Sequence, residues 1–500
     1  MQNNFFVEKK IAKTTVISSL LWKFLERCGV QGVQLVLSVI LARILSPADY
    51  GLVAILLVFI SISNVFIQSG FNTALIQKQN CDDIDFSSVF YLSLILSLFL
   101  YFLIFISSPF IEIFFRKGRL SVLLRVISIT LFFGAMTSVQ SAYVARTMKF
   151  KRFFFSSMGA TILSGVVGIF MAYKNFGVWA LVVQHILNAF FSCVILWVTV
   201  RWRPKTVFSF CRIKELFSFG WKILCSALLD TVFRNIYSLV IGRVYTDKQL
   251  GFFNRGHQFP QVIATNLDGS IQNVMLPTLS SMNDNTADLK RVMRRSISSS
   301  AFILMPCMFG LAAIAKPLVV ILLGEKWIPC VPFLQLACFS YAIYPIHTAN
   351  LTAINAVGRS DIFLKLEIIK KTLTVITLTV TVPLGIYAMA AGQVITGILG
   401  TFINSYPNKK LMNYSYFEQI KDLLPSFLIS VFMAFVVYLL KFISIPLAAL
   451  LVIQLVTGFI LYIFLSRIFK VESFLYLSHT IAECLSDLIN KKRQEKNNAE

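Results

Sequence analysis

The chain has 500 residues, of which 57% are hydrophobic and only 14% are charged, and its formal net charge is +23. Globular proteins average roughly 45–50% apolar and about 25% charged residues, so the composition excludes an ordinary water-soluble fold. A basic excess in a soluble protein would indicate nucleic acid, but here Lys and Arg flank apolar segments, as they do beside membrane spans. We therefore predict a polytopic membrane protein that does not bind nucleic acid.

Apolar segments of membrane-spanning length follow one another along the chain. Because a spanning helix needs about 20 apolar residues, about fourteen spans can be placed. They lie near 14–44, 48–71, 87–114, 120–145, 153–173, 177–200, 215–243, 250–281, 297–323, 330–356, 366–384, 386–405, 423–443 and 446–466. Long runs without alternation are not barrel strands. The predicted fold class is therefore an all-α polytopic membrane protein.

The basic residues also predict the topology. They are concentrated in alternate loops, such as 146–152, 201–214 and 290–295, and such loops are usually cytoplasmic. Both termini are then cytoplasmic, and the first apolar segment is too long for a cleavable signal peptide. The outer loop Arg116–Arg119 departs from this trend. The other outer loops are short and leave no room for an extracytoplasmic catalytic domain.

A sequence repeat divides the chain. Leu41–Gly51 reappears as Ile241–Gly251 at a constant offset of 200 residues, with Arg43 matched by Arg243. Six spans separate the two copies, and an even number gives both copies the same orientation in the membrane. This arrangement predicts two six-helix lobes related by an axis along the membrane normal, which is a known transporter plan.

The repeat also sets the predicted domains. Residues 1–205 form an N-lobe with spans one to six, and residues 206–412 form a C-lobe with spans seven to twelve. Residues 413–470 add two peripheral spans. Residues 471–500 are predicted to form a cytoplasmic amphipathic helix and a basic tail on the anionic inner leaflet.

Four predicted spans carry polar residues at helical spacing. The stripes are Lys23, Arg27, Gln31 and Gln34 in span one; Ser61, Asn64, Gln68 and Asn72 in span two; Lys222, Ser226, Asp230, Arg234 and Ser238 in span seven; and Gln258, Gln261, Thr265, Asp268 and Gln272 in span eight, with Arg255 beside them. Ionisable groups within spans usually face a bundle interior or a wet cavity. By the repeat, the four stripes should face one another across a central hydrated cavity.

An excess of cations in such a cavity would attract phosphate or pyrophosphate, because Arg and Lys bind phosphate through charge-assisted hydrogen bonds. The candidate substrate-binding residues are Arg27, Arg255, Arg234, Lys23 and Lys222, and the candidate polar lining is Gln31, Asn64, Gln68, Asp230, Gln261 and Asp268. A second interpretation stays open: Asp230 and Arg234 have the i, i+4 spacing of a local structural pair. No Walker A, nucleophile-elbow or zinc motif occurs. We therefore predict no catalytic residue, metal or cofactor.

Two segments resemble a known family. The sequence ARILSPADYGLVAI at the end of span one and LGFFNRGHQFPQV at the start of span eight are similar to the WzxC-like polysaccharide transporters, a branch of the multidrug/oligosaccharidyl-lipid/polysaccharide exporter superfamily. The resemblance covers about residues 10–470. Family members carry a cationic lumen, and the resemblance makes Arg27, Arg234 and Arg255 candidates for its cations.

The resemblance implies a transporter, not an enzyme. Its cargo would be an undecaprenyl-diphosphate-linked oligosaccharide for O-antigen, capsule or exopolysaccharide, moved from the cytoplasmic to the periplasmic leaflet of the bacterial inner membrane by alternating access. The implied partners are this lipid-linked glycan, membrane lipids, a coupling ion (sodium or proton), and polysaccharide polymerase and chain-length proteins.

Two alternatives stay open. One is a drug/cation antiporter of the same superfamily, which would need acidic residues for cationic drugs and usually has twelve spans. The other is a membrane glycosyltransferase or polymerase that uses the same lipid carrier, which would need a sizeable outer loop or a carboxylate pair near the surface.

Overall fold

The computed structural model describes residues 13–68, 71–78, 81–280, 286–479 and 483, without the side chains of 13–21, 23–28, 73, 77, 219, 270, 273–274 and 276–277. All regular secondary structure in this part of the chain is helical. The chain divides into two compact units, Met1–Gly251 and Phe252–Glu500. The predicted lobe limits at 205 and 412 follow from the sequence repeat and stay a prediction.

The first unit contains nine helices within its described residues and the start of a tenth. They are α1 (Lys13–Ile44), α2 (Pro47–Gln68), α3 (Phe71–Gln77), α4 (Asp83–Phe115), α5 (Leu120–Ile127), α6 (Thr130–Arg146), α7 (Phe150–Tyr173), α8 (Val178–Thr199), α9 (Phe210–Val244) and α10 (Asp247–Ser280). Helix α7 packs against α1 and α8, whereas α9 packs against α2, α3 and α4. The span that opens the second sequence repeat thus lies within the first unit.

The second unit contains most of α10 and the helices that follow. They are α11 (Thr286–Ala313), α12 (Ala315–Leu323), α13 (Val331–Ala342), α14 (Tyr344–Ala356), α15 (Ser360–Thr381), α16 (Ile386–Ser405), α17 (Asn408–Met412), α18 (Tyr416–Leu439) and α19 (Leu447–Ile468). Helix α18 packs against α11 and α19, and the Tyr462 hydroxyl donates to the Phe302 carbonyl at 2.7 Å. The opposite faces of α18 and α19 expose apolar side chains such as Phe435 and Phe459, as expected of peripheral spans.

Eleven helical segments of the described chain are long and apolar enough to cross a membrane. The prediction of an all-α polytopic fold is therefore confirmed, but the count of fourteen spans is not. The other three predicted spans fall on α1, α10 and α15. The side chains of α1 are described without interruption only over Gly29–Ile44, an apolar stretch shorter than a span. Polar residues lower the hydropathy of α10, and α15 carries Lys365, Glu367, Lys370 and Lys371. Such helices are stable in a membrane only where their polar faces are covered or wet.

The sequence repeat recurs in the local structure. Before α2, the Ser46 backbone N–H donates to Asp49 Oδ2 at 3.0 Å, and the Asp49 N–H donates to Ser46 Oγ at 3.3 Å. Before α10, Thr246 and Gln249 form the same reciprocal pair at 3.1 and 3.3 Å. Both are capping boxes, which satisfy backbone donors at the first turn of a helix. Residues 200 positions apart thus start their helices by the same device.

The predicted C-terminal amphipathic helix is described in part. Helical residues continue to 479, and Phe474 and Leu477 pack against the buried cluster formed by α11, α18 and α19. Except for residue 483, the part of the predicted helix and tail beyond 479 lies outside the described residues.

Candidate functional site

Helix α9 presents a charged, uncovered face. Lys222, Ser226, Asp230 and Arg234 are all exposed. An i, i+4 row drifts by about 40° a step, so about three of them share one side of the helix. Only 6% of the most apolar stretch of α9 is buried, against 22–50% for the other ten spans. Arg234 lies ten residues before the helix end at Val244, or about 15 Å along the axis, which is well inside a hydrocarbon layer about 30 Å thick.

The two charged groups in the middle of this face form an ion pair. Arg234 Nη2 donates to Asp230 Oδ2, and the side chains are 69% and 53% exposed. The structural pair anticipated from the i, i+4 spacing is therefore present. An exposed pair of this kind contributes little to stability, and the guanidinium has five N–H donors. The ion pair uses only some of these five donors. The Arg234 guanidinium therefore keeps N–H groups that could bind an anion.

The polar stripe of α2 lines a cavity of about 440 Å³ inside the first unit. Its polar lining comes from three helices: Ser61, Asn64 and Gln68 of α2; Thr130 and Thr137 of α6; and His185, Asn188 and Ser192 of α8. This volume is in the range of small-ligand sites. Hydroxyl, amide and imidazole groups of this kind can form hydrogen bonds with sugar hydroxyls.

One atom of the lining of this cavity is available to a polar ligand. Asn64 Oδ1 is buried and has no hydrogen-bond partner among the described residues, and buried polar atoms are rarely left in that state. Gly134 of α6 allows α2 to approach, since a Cβ there would lie 2.9 Å from Asn64 Oδ1. The Asn188 amide donates to Ser164 Oγ of α7 at 3.3 Å, which fixes that side of the lining.

The residues of α6 and α8 that line this cavity are not among the site residues predicted from the sequence. His185, Asn188 and Ser192 lie at i, i+3 and i+7, which places them on one helix face. That spacing could have identified α8 as a polar-lining helix. The short polar side chains of Thr130 and Thr137 carry no such signal, because threonine is common on any face of a membrane helix.

Arg255 of α10 lies inside the second unit. It is 4% exposed, it donates to Gln258 Oε1, and its Cζ lies 5.6 Å from the centre of the Trp327 ring. Trp327 is fully buried. A guanidinium over a buried indole makes a favourable cation–π contact. The structure thus places Arg255 in protein packing, and its role as a substrate cation stays a prediction.

The rest of the α10 stripe is more accessible. Gln261 is exposed and Asp268 is half-buried. The Gln272 side-chain amide donates to Asp268 Oδ2 at 2.7 Å, an i, i+4 contact that satisfies part of the carboxylate. These residues line one face of α10 in the second unit.

The α1 stripe is described only in the C-terminal part of the helix. Gln31 is half-buried and Gln34 is exposed. The side chains of Lys23 and Arg27 lie outside the described residues, so their predicted substrate contacts stay predictions. The same holds for the predicted central cavity to which all four stripes were assigned.

The helices and their intramembrane polar faces define a multi-pass α-helical membrane protein. Its fold is that of a solved lipid II flippase, MurJ in an inward closed conformation, with a TM-score of 0.74, 17% identity, and coverage of 91% of this chain and 98% of that one. Residues 40–332, more than half of the chain, match the model of a polysaccharide biosynthesis protein family. The chain belongs to this family.

Two curated relatives agree with this membership. The chain is 25% identical over 348 residues to the succinoglycan biosynthesis transport protein ExoT of Rhizobium meliloti (strain 1021), which covers 70% of each chain. It is 22% identical over 417 residues to the lipopolysaccharide biosynthesis protein WzxC of Escherichia coli (strain K12), which covers 82% of each. The resemblance to WzxC-like proteins is therefore confirmed.

Proposed function

We propose that the protein is a flippase that moves an undecaprenyl-diphosphate-linked oligosaccharide from the cytoplasmic to the periplasmic leaflet of a bacterial inner membrane. The observation that carries this proposal is the exposed charged face of α9. Arg234 and Asp230 lie about 15 and about 21 Å from the end of α9. Charged groups at this depth of a membrane-spanning helix cannot face acyl chains without a large cost. This face therefore lines a water-filled passage, which a lipid-anchored hydrophilic cargo requires.

The chemistry of the passage supports an anionic cargo. Lys222 and Arg234 are exposed on α9, and Asp230 is the acid between them. Guanidinium and ammonium groups hold a diphosphate through charge-assisted hydrogen bonds. The polar cavity beside Asn64 offers neutral donors and acceptors that suit sugar hydroxyls. In the proposed mechanism the diphosphate meets the cations, the glycan stays in water, and the lipid tail stays in the bilayer.

The two alternatives have less support. A cation antiporter needs an available carboxylate, but Asp230 is paired with Arg234 and Asp268 accepts a hydrogen bond from Gln272. A glycosyltransferase or polymerase needs an outer catalytic loop, and the turns 45–46 and 245–246 between helices are only two residues long.

Complementation of a flippase-null, polymer-deficient strain tests the proposal. We expect Arg234→Ala and Arg27→Ala to lower surface polymer by about tenfold each and to accumulate the lipid-linked precursor, since a charged hydrogen bond contributes about 1.5–3 kcal/mol. Arg359→Ala is the matched control, because Arg359 also pairs with an Asp at 2.9 Å with both groups about half exposed, but at the start of α15.

A charge swap separates substrate binding from structural pairing. Asp230→Arg combined with Arg234→Asp keeps an i, i+4 ion pair but moves the cation by about one helical turn. Normal protein level with lost transport would assign the cation to substrate. Full polymer output from the swapped protein, from Arg234→Ala and from Arg27→Ala, at normal expression, would remove these cations from the mechanism.

A further inference from the structure

A basic cavity of about 990 Å³ lies at one end of the first unit, where the α4–α5 loop meets the α9–α10 turn. The loop contributes Arg116, Lys117 and Gly118. Arg243 comes from the last turn of α9, Tyr245 from the connection and Asp247 from the start of α10. Its volume is at the upper end of the range found for small-molecule sites. All of these residues belong to the first unit, and the cavity is separate from the polar cavity beside Asn64.

The charge of this cavity is set by two arginines. Lys117 Nζ lies 2.9 Å from Asp247 Oδ1 and donates to the Tyr245 carbonyl at 3.0 Å. This pair ties the loop to the turn and neutralises both of its members. Arg116 and Arg243 add two further positive charges to the lining, and a cavity with such an excess favours an anion.

The two arginines are positioned in different ways. Arg243 lies over the Phe114 ring, with Cζ 5.0 Å from the ring centre. A guanidinium held over an aromatic ring can still donate from its N–H groups, whose arrangement matches phosphate oxygens. Arg116 is exposed and has φ of 55°, a backbone conformation that is uncommon for residues other than glycine. Gly118 has open space where a Cβ would stand.

The location of the cavity is unexpected for a membrane protein. In the predicted topology this end of the first unit is periplasmic, and basic residues normally accumulate on the cytoplasmic side. The proposed passage along α9 uses Lys222, Asp230 and Arg234 and does not require Arg116 or Arg243. Two arginines that line one cavity outside this passage indicate a separate anionic ligand.

We propose that this cavity is a phosphate-binding site at the periplasmic end of the first unit, with Arg116 and Arg243 as its ligands. Arg is the residue best suited to phosphate because its planar fork can donate two parallel hydrogen bonds. The phosphate could belong to the diphosphate of the carrier lipid or to the headgroup of an anionic phospholipid. The first source rests on the proposed function, whereas the second does not.

Thiol protection in the full-length, detergent-solubilised protein tests this site. Gly118→Cys places a thiol in the open part of the cavity, and its modification by uncharged N-ethylmaleimide can be followed by peptide-resolved mass spectrometry. The probes are inorganic pyrophosphate, farnesyl diphosphate and dihexanoylphosphatidylglycerol. We expect a phosphate probe to slow modification of the introduced thiol in a saturable manner.

Charge-matched variants identify the ligands. Adding Arg116→Gln and Arg243→Gln should raise the probe concentration for half-protection by about tenfold per arginine. Adding Lys174→Gln and Lys441→Gln, which removes two exposed cations that lie near the Phe170 and Tyr438 rings, should leave it unchanged. Protection is compared with and without probe in each variant, so altered thiol reactivity cancels.

The pattern across probes identifies the source of the phosphate. Protection by both diphosphates alone would assign the carrier lipid, and protection by phosphatidylglycerol at equal or lower concentration would assign a phospholipid headgroup. Equal modification rates with and without all three probes would overturn the site. So would protection that survives the loss of both arginines. If Arg234→Ala lowers polymer output but keeps thiol protection by the probes, the phosphate site exists independently of the cation proposed for the α9 passage.

Discussion

Gly51 and Gly251, which are 200 positions apart in the sequence, each touch the start of the other's helix. A Cβ on Gly51 would lie 1.9 Å from the Asp247 carbonyl oxygen, and a Cβ on Gly251 would lie 2.0 Å from the Pro47 carbonyl oxygen. The contact is reciprocal, because each glycine faces the first residue of the helix that contains the other. Only glycine allows two helix starts to approach so closely.

This contact predicts that alanine at either glycine destabilises the protein. In an open helix position Gly→Ala would stabilise by up to about 1 kcal/mol, but here the new methyl group meets backbone that cannot rotate away. We expect Gly51→Ala and Gly251→Ala to lower the thermal unfolding temperature by several degrees in differential scanning fluorimetry. Gly32→Ala in α1, where a Cβ meets nothing within 4 Å, is the control and should not lower it. Unfolding temperatures equal to that of the control would contradict the prediction.

The repeat could be recognised from sequence, but its contact could not. The matched motifs Leu41–Gly51 and Ile241–Gly251 predict equivalent local structures, and the capping boxes at Ser46 and Thr246 have that equivalence. That the two copies pack on one another depends on how α2 and α9 associate. Helix association is a tertiary property, and the spacing within either segment carries no information about it.

Helical spacing in the sequence does not predict how deeply a side chain is buried. Helical spacing correctly grouped Asp230 with Arg234 on an exposed face of α9. The same reasoning placed Arg255 beside the α10 stripe as a candidate substrate cation, whereas its side chain is buried against Trp327. Trp327 is 72 residues further along the chain, so no local pattern could indicate it.

Lys78, which follows the last residue of α3, is expected to stabilise the first unit. Its ammonium lies 3.2 Å from Asp85, which is fully buried, and 3.1 Å from Glu215 at the start of α9. Lys78→Ala would leave the Asp85 carboxylate buried with fewer partners, and losing one member of a buried pair costs about 3 kcal/mol. We expect the purified variant to unfold at a lower guanidinium concentration, or at a lower temperature, than the parent protein.

Lys205→Ala is the matched control for Lys78→Ala. Lys205 pairs with Asp83 at 2.7 Å, but the side chains are 63% and 38% exposed. An exposed pair contributes about 0–1 kcal/mol, so this variant should unfold close to the parent. Equal destabilisation by both substitutions would show that burial does not govern these ion pairs.

Cys81 is predicted to be unreactive in the folded protein. It is 3% exposed in the α3–α4 connection, and burial, followed by the charge of Asp85, raises the pKa of its thiol from 9.0 to about 12. Since the thiolate is the nucleophile, iodoacetamide should spare Cys81 and alkylate the exposed Cys211. Peptide mass spectrometry at pH 8 checks this, with denatured protein as the control in which both thiols react.

The same pKa gives a pH dependence with a defined sign. The folded state holds the Cys81 proton more tightly than the unfolded state, so its contribution to stability is constant below the ordinary thiol pKa of 9.0 and falls as pH rises toward about 12. Cys81→Ala should remove this part of the alkaline loss of stability. Unfolding midpoints measured from pH 7 to pH 10 should then decline less steeply in the variant, and an unchanged slope would contradict the assignment.

A buried amide network is expected to fix the start of α18. Asn350 of α14 is fully buried; its Nδ2 donates to Gln419 Oε1 at 2.8 Å, and its Oδ1 accepts from Asn408 Nδ2 at 2.7 Å. Asn350→Leu would leave both partner amides buried without it, and each such group costs about 1–3 kcal/mol. We expect this substitution to be among the most destabilising in the second unit.

A double-mutant cycle distinguishes the network from simple packing. Gln419→Met alone also breaks the contact, but combining it with Asn350→Leu replaces two facing amides by two apolar side chains, which can be nearly neutral. The double variant should therefore be more stable than the sum of the single effects predicts, with a coupling of about 1–3 kcal/mol. Additive losses would mean that each side chain matters for its volume alone. Positive coupling would show that directed hydrogen bonds hold this helix to α14 inside the membrane protein, where apolar faces alone cannot choose between a neighbouring helix and lipid.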